Sequence, residues 1–109
     1  MRYTFVELTA FTNKLVKLGL EDDLVKLQDE LLRNPMAGDL DPGACGLRKI
    51  RMPDSTRGQG KRFGARVHYL LVPHRGTIYL FNIYPKSEQD ALTPEQKKAL
   101  CRLILRMTV

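Results

Sequence analysis

The 109-residue chain has no tryptophan, only two cysteines and only two histidines, and each scarcity removes a class of function. Cys45 and Cys101 form no CxxC or zinc-type spacing, and neither has a neighbouring histidine in sequence that would make it a nucleophile. His68 and His74 stand apart without clustered carboxylates in the strand-like region, so no metal site and no cofactor are expected. The longest apolar runs, 69–73 and 78–83, fall far short of the roughly 20 residues of a membrane helix, and no membrane partner is expected. The opening Met1-Arg2-Tyr3-Thr4-Phe5-Val6-Glu7 lacks the apolar segment of a signal peptide. The chain is therefore expected in the cytoplasm, with both thiols free in that reducing compartment. No internal repeat or low-complexity tract appears.

Acid is scarce in one place above all. Residues 47–75 carry eight Lys or Arg against one acid, Asp54, a net +7, while the rest of the chain sums to −1. Charge gathered on a strand-like stretch in this way marks a patch for a polyanion. The first 46 residues, by contrast, hold five basic and eight acidic residues. They are a poor nucleic-acid surface and a better cover for a sheet or a protein partner.

With 43% apolar content the chain suffices for one domain, 1–109, with a real core. Tyr3–Val6 is β-prone. Thr9 is placed as the N-cap of a helix carrying Phe11, Leu15 and Leu18 and ending at Gly19. Glu21, Asp22 and Asp23 suit the first turn of a second helix with Leu24, Leu27 and Leu31 as its stripe, stopped by Asn34-Pro35. Met36–Gly46 reads as a loop around the turn Asp41-Pro42-Gly43. Strands are expected at 47–52, 63–72 and 77–84, the last two joined by Pro73-His74-Arg75-Gly76, with 53–60 a polar loop. Thr93 with Glu95 and Gln96 starts a final helix at Pro94, carrying Leu100, Leu103, Ile104 and Met107. The order β-α-α-β-β-β-α predicts an α+β domain with a mainly antiparallel sheet.

Strand parity sorts the charges. Ile50 and Met52 share one face, as do Val67, Tyr69 and Leu71; Tyr79, Phe81 and Ile83 alternate with Leu80, Asn82 and Tyr84. With the apolar sets against the helical hairpin, Lys49, Arg51, Arg66, His68, Asn82 and Tyr84 converge on the open face. Leu70, Val72, Ile78 and Leu80 fall there too and need the last helix as cover, leaving the charged end as a groove. Charge alternating with apolar residues is also what any half-exposed strand shows. Cations from neighbouring strands with few acids beside them repel one another, which an anionic ligand relieves.

Three motifs carry a resemblance across nearly the whole chain. Gly46-Leu47-Arg48-Lys49-Ile50-Arg51, Gly60-Lys61-Arg62-Phe63-Gly64-Ala65-Arg66-Val67 and Tyr84-Pro85-Lys86-Ser87-Glu88-Gln89-Asp90-Ala91-Leu92-Thr93, together with the Asn34-Pro35 to Gly38-Asp39 loop, resemble the RelE/HigB-like toxins of bacterial toxin-antitoxin modules. The resemblance implies a microbial-ribonuclease-like fold, with a curved sheet flanked by the hairpin and the C-terminal helix. It also implies metal-independent cleavage of messenger RNA in the ribosomal A site, and a cognate antitoxin from the same operon, usually a helix-turn-helix protein. Carried over by residue, Lys49 and Arg51 match the family's two basic strand positions and Arg66 its central-strand arginine. Lys61, Arg62, Tyr84 and Lys86 match further positions of the motif. Some members have an arginine after the last strand and a tyrosine entering the final helix; here stand Lys86, Ser87 and no Tyr, so Tyr84 serves instead or the site is weaker. Phe63 replaces a small residue, which narrows the groove or adds a base-stacking surface.

The chemistry expected of such a site is attack by the 2′-hydroxyl on its own phosphate. Arg51 and Arg66 would hold the charge that builds on the phosphate. Lys49 or Lys61 would accept the 2′ proton, and Tyr84 or Lys86 would donate to the leaving oxygen. His68 competes as the base through its pKa range; it, Arg48, Arg57, Arg62 and Phe63 are the candidate RNA contacts. The rivals are a ParE-like toxin acting on DNA gyrase, which would lack the full basic set, and a non-catalytic RNA- or ribosome-binding protein, for which the basic face would suffice.

Overall fold

The computed structural model describes residues 2–53 and 64–107. In chain order these form β1 (Thr4–Glu7), α1 (Thr9–Leu18), α2 (Glu21–Arg33), β2 (Asp39–Leu40), β3 (Arg48–Met52), β4 (Ala65–Val72), a 3-10 turn (Pro73–Arg75), β5 (Thr77–Pro85) and α3 (Pro94–Met107). Arg57, Lys61, Arg62 and Phe63, four of the residues singled out from sequence, lie outside the described residues. Among those described, no helix is long and apolar enough to cross a membrane.

The helices begin and end where local chemistry directs. Gly19 takes a φ of +69° and returns its N–H to the carbonyls of Leu15 and Val16, closing α1 in the left-handed conformation that glycine permits. The expected cap at Thr9 is not made. Leu8 occupies the N-cap without a side-chain bond, and Thr12 Oγ1, one turn in, donates to Glu7 Oε1 at 2.7 Å. At α3 the cap is complete: Gln96 N–H donates to Thr93 Oγ1 at 3.1 Å, and Thr93 N–H donates to Gln96 Oε1 at 2.9 Å.

The five strands lie in the order β1-β5-β4-β3-β2. The sheet is mixed: β1 runs parallel to β5, from Thr4 opposite Thr77 to Glu7 opposite Leu80, and the other three pairings are antiparallel. β1 answers the β-prone Tyr3–Val6; its parallel pairing and the two-residue β2, inside the expected loop, are additions to the fold read from sequence. Neither strand is long enough for alternation to declare its partner.

One irregularity redistributes the faces. Along β4 and β5, His68 is opposite Asn82 and Tyr69 is opposite Leu80, so Phe81 is an extra residue on β5, a β-bulge. Ile78, Leu80 and Ile83 accordingly join Phe11, Leu15, Leu20, Leu24, Leu27 and Leu31 in the core beneath the hairpin. Tyr79 and Phe81 turn to the other face, where Leu47, Leu70, Val72 and Phe81 pack with Ile104 of α3. This corrects simple parity, which put Ile78 and Leu80 on the open side and Tyr79 and Phe81 under the hairpin.

The cysteines are also not as expected. Cys45 and Cys101 are joined by a disulfide with Cα atoms 5.5 Å apart, and no free cysteine is present. Cys45 has a φ of +57°, turning the 41–46 loop onto α3. There Lys97 Nζ also donates to Pro42 O at 2.8 Å. Closure of this loop on the helix is a tertiary event that a separation of 56 residues does not announce.

Tyr69 anchors the remaining loop to the core. Its hydroxyl accepts the Gly38 N–H at 2.9 Å and donates to Pro35 O at 2.8 Å, and the residue is fully buried. A Cβ on Gly38 would sit 2.8 Å from the Tyr69 ring and 2.9 Å from Lys49 O, so the contact requires glycine. Tyr69→Phe leaves the buried Gly38 N–H unpaired and is expected to lower stability by about 1–3 kcal/mol, read as a lower urea midpoint at unchanged m.

Candidate functional site

The face of the sheet beyond α3 is built from two cross-strand rows. Arg51 is opposite Arg66, which is opposite Tyr84; Lys49 is opposite His68, which is opposite Asn82. Strand pairing thus brings together six of the side chains expected there. The rows are two residues apart along β4, roughly 7 Å. Arg48 falls on the other face and donates from Nη1 to Gly38 O at 2.8 Å, which commits it to holding the 34–41 loop. Lys86 is exposed in the turn past β5, where its backbone N–H bonds Gly64 O at 3.1 Å.

The face is less open than expected. Arg51 is exposed and Lys49 and Asn82 are half-buried, but Arg66, His68 and Tyr84 are 4%, 0% and 2% exposed. It is also less purely basic, because the Met36–Gly46 segment brings acids to it. Asp39 of β2 stands opposite Lys49, and Asp41 Oδ2 lies 2.8 Å from His68 Nε2. Lys97 of α3 completes this group, its Nζ 3.3 Å from Asp41 Oδ1.

These contacts set the protonation states. Burial alone would raise the Asp41 pKa, but hydrogen bonds from His68 and Lys97, and their charges, hold it below the usual carboxylate range. Burial pushes the His68 pKa down, with the Lys49 and Lys97 charges adding to that and Asp41 opposing it. Asp41 is therefore ionised and His68 neutral near pH 7, its proton placed on Nε2 facing the carboxylate. Nδ1 is left as an acceptor, buried and without a hydrogen-bond partner among the described residues. Burial pushes the Tyr84 hydroxyl up to about 12, with Asp41 and Asp90 adding and Arg66 opposing, so the phenol stays a proton donor. Its oxygen is likewise buried without a partner among the described residues, and its ring centroid lies 5.9 Å from that of His68.

A pH dependence follows with a definite sign. His68 takes up a proton less readily in the folded chain than in the unfolded one. Its contribution is whole above about pH 6.5 and is lost as pH falls below that, where the unfolded chain is protonated first. Asp41, also depressed, extends the loss to pH values below about 4. The thermal midpoint is expected to fall between pH 7.5 and 5.5, and His68→Gln to flatten that part of the profile. A wild-type midpoint that is level across this range would contradict the assignment.

Asp41 and Lys97 were invisible as site residues in the sequence. Asp41 reads as a turn former beside Pro42-Gly43, and nothing local links 41 to 68 or 97. Among the described residues no group of three His, Cys, Asp or Glu side chains is placed to hold a metal ion. What is assembled is a set of forked cations, a proton donor and a proton acceptor. No protein-family model matches the chain.

Proposed function

We propose that this protein is the toxin of a type II toxin-antitoxin module, of the RelE/HigB-like kind, and cleaves messenger RNA in the ribosomal A site without a metal. One observation supports this above the others: Arg51, Arg66 and Tyr84 form one row, beside the half-buried Lys49 and the buried His68. In the reaction the 2′-oxygen bonds to phosphorus as its proton passes to Lys49, which is half-buried at the face, with His68, opposite it, the alternative acceptor. The bond from phosphorus to the 5′-oxygen breaks, and Tyr84 protonates the leaving oxygen, giving a cyclic phosphate and a 5′-hydroxyl. Arg51 and Arg66 hold the non-bridging oxygens as charge builds on them.

An α+β domain with a helical hairpin on one sheet face and a single helix on the other agrees in outline with a microbial-ribonuclease-like fold. The same reading carries a helix-turn-helix antitoxin as partner, which would lay an acidic segment over the basic face or bind the net-negative hairpin, and a cytoplasmic location, where the reducing pool would open the Cys45–Cys101 bridge. The test is expression of the wild type and of the Arg66→Ala/Lys49→Ala pair, with mapping of messenger 5′ ends. Growth arrest with codon-positioned cleavage, lost in the pair, is expected. Arrested cells with intact messenger would overturn cleavage and favour a non-cleaving toxin, such as a ParE-like one acting on gyrase.

A further inference from the structure

The Cys45–Cys101 bridge lies at the surface, not in the core: Cys45 is exposed and Cys101 half-buried. Cys101 also lines a cleft of about 420 Å³ at the seam between the 41–46 loop and α3, with Gly43, Pro94, Lys97, Lys98 and Arg102. The lining brings three cations and no acid to one sulfur. A small thiol entering the cleft therefore meets a reactive atom and a positive field together. That field favours a thiol that carries carboxylates.

The loop that the bridge holds is also the cover of His68. Backbone bonds close residues 41–47 on themselves: Asp41 N–H donates to Leu47 O at 2.9 Å, Ala44 N–H to Asp41 O at 3.1 Å and Leu47 N–H to Ala44 O at 3.2 Å. Cys45 and Asp41 thus belong to one unit. It lays the Asp41 carboxylate on His68 Nε2, and the ring beneath is fully buried. The bridge fastens this unit to α3, and so does Lys97, whose Nζ reaches both Asp41 Oδ1 and Pro42 O. Cys101 and Lys97 both line the cleft, so one ligand can act on both fastenings.

We propose that the cleft is a thiol-exchange site for a small anionic thiol, and that exchange there releases the 41–47 loop from α3 and uncovers His68. The ligand thiolate attacks the Cys101 sulfur, the Cys45–Cys101 bond breaks, and Cys45 leaves as a thiolate that takes a proton from water. The mixed disulfide on Cys101 keeps the ligand's carboxylates beside Lys97, Lys98 and Arg102, where they compete with Asp41 for Lys97. A second ligand thiolate attacks the ligand sulfur of that mixed disulfide and frees Cys101, which is protonated in turn. Two ligand thiols are thereby oxidised to one disulfide as the bridge is reduced to two thiols. A neutral thiol can break the bridge but leaves Lys97 on Asp41; an anionic one loosens both. Nothing in this exchange depends on RNA cleavage.

The experiment exposes the oxidised full-length protein to glutathione or to cysteamine, an anionic and a cationic thiol, and follows bridge opening by alkylation and mass spectrometry. Each thiol's own reactivity cancels when wild type is compared with Lys98→Glu/Arg102→Glu. The glutathione-to-cysteamine rate ratio is expected to be about 10-fold higher in wild type than in that pair, and to shrink toward it in about 1 M salt. The trapped mixed disulfide is expected on Cys101. In parallel, diethyl pyrocarbonate labelling compares His68 with the exposed His74. Glutathione is expected to speed His68 labelling by at least about 10-fold, with the near-ultraviolet circular dichroism of the folded chain retained. A rate ratio equal in wild type and the pair, or glutathione found on Cys45 instead, overturns the site. His68 equally protected before and after opening, or reduction that unfolds the chain, overturns the release and makes the bridge a structural tie. Neither readout involves RNA, so intact messenger in cells would count against the cleavage reading alone.

Discussion

Arg66→Ala is expected to slow messenger cleavage by about 10²–10³-fold, the usual consequence of removing one fixed donor from a developing oxyanion. The expectation rests on where the guanidinium is held. Arg66 is 4% exposed and in register between Arg51 and Tyr84, and Nη1 makes one long bond, 3.4 Å, to Gly64 O. A charge kept in this position, directly opposite another arginine, is unfavourable for the fold by itself. Its removal is therefore expected to leave the thermal midpoint near or above that of wild type, despite the lost packing of its stem. Loss of cleavage with retained stability is the pair of results that separates a substrate contact from a structural one. Arg66→Lys keeps the charge but not the planar fork, and should fall between the two. An Arg66→Ala protein that cuts at the wild-type rate would remove this arginine from the mechanism.

The second large effect concerns the fold. Opening the Cys45–Cys101 bridge, by Cys101→Ser or by a thiol reductant, is expected to lower stability by about 4 kcal/mol, from the chain entropy of a loop of this length. Against the 5–15 kcal/mol typical of a domain, that is a major share, corresponding to a drop in thermal midpoint of roughly 15 °C or more. Two further ties, Lys97 to Asp41 and Lys97 to Pro42 O, join the same loop to the same helix and remain after reduction, so the chain is expected to stay folded at 25 °C. Thermal unfolding with and without reductant measures the difference; identical midpoints would show that the bridge contributes nothing.

Much of this architecture is written locally. The hairpin follows from leucine spacing and from Gly19, α3 from Thr93 and Gln96, and the β4–β5 connection from Pro73 and Gly76, whose φ is +57°. Alternation alone placed Lys49, Arg51, Arg66, His68, Asn82 and Tyr84 on one face, and the register confirms their common side. What alternation cannot carry is an interruption of itself. The bulge at Phe81 has neither glycine nor proline to mark it, and it reversed the assignment of Ile78, Leu80, Tyr79 and Phe81. Non-local partners were equally hidden: Asp41 with His68, Asp41 with Lys97, and Cys45 with Cys101 meet only after the 41–46 loop closes on α3. The burial of Arg66 and His68 belongs to the same class, since a strand pattern gives the side of a residue and not what covers it.

The bulge also bears on which changes of length the chain can tolerate. Leu80 and Ile83 both face the hairpin although three positions separate them, because Phe81 and Asn82 lie on the same side. Deleting Phe81 would restore strict alternation without disturbing a single hydrogen-bonded neighbour upstream of it. It would also withdraw one aromatic ring from beneath α3 while leaving Asn82, Ile83 and Tyr84 on their present faces. Deleting Asn82 instead would also restore alternation, but would leave Phe81 as the residue opposite His68, where Asn82 stood. Two adjacent single-residue deletions are thus expected to converge on one register and to differ only in whether an amide or an aromatic ring stands opposite His68.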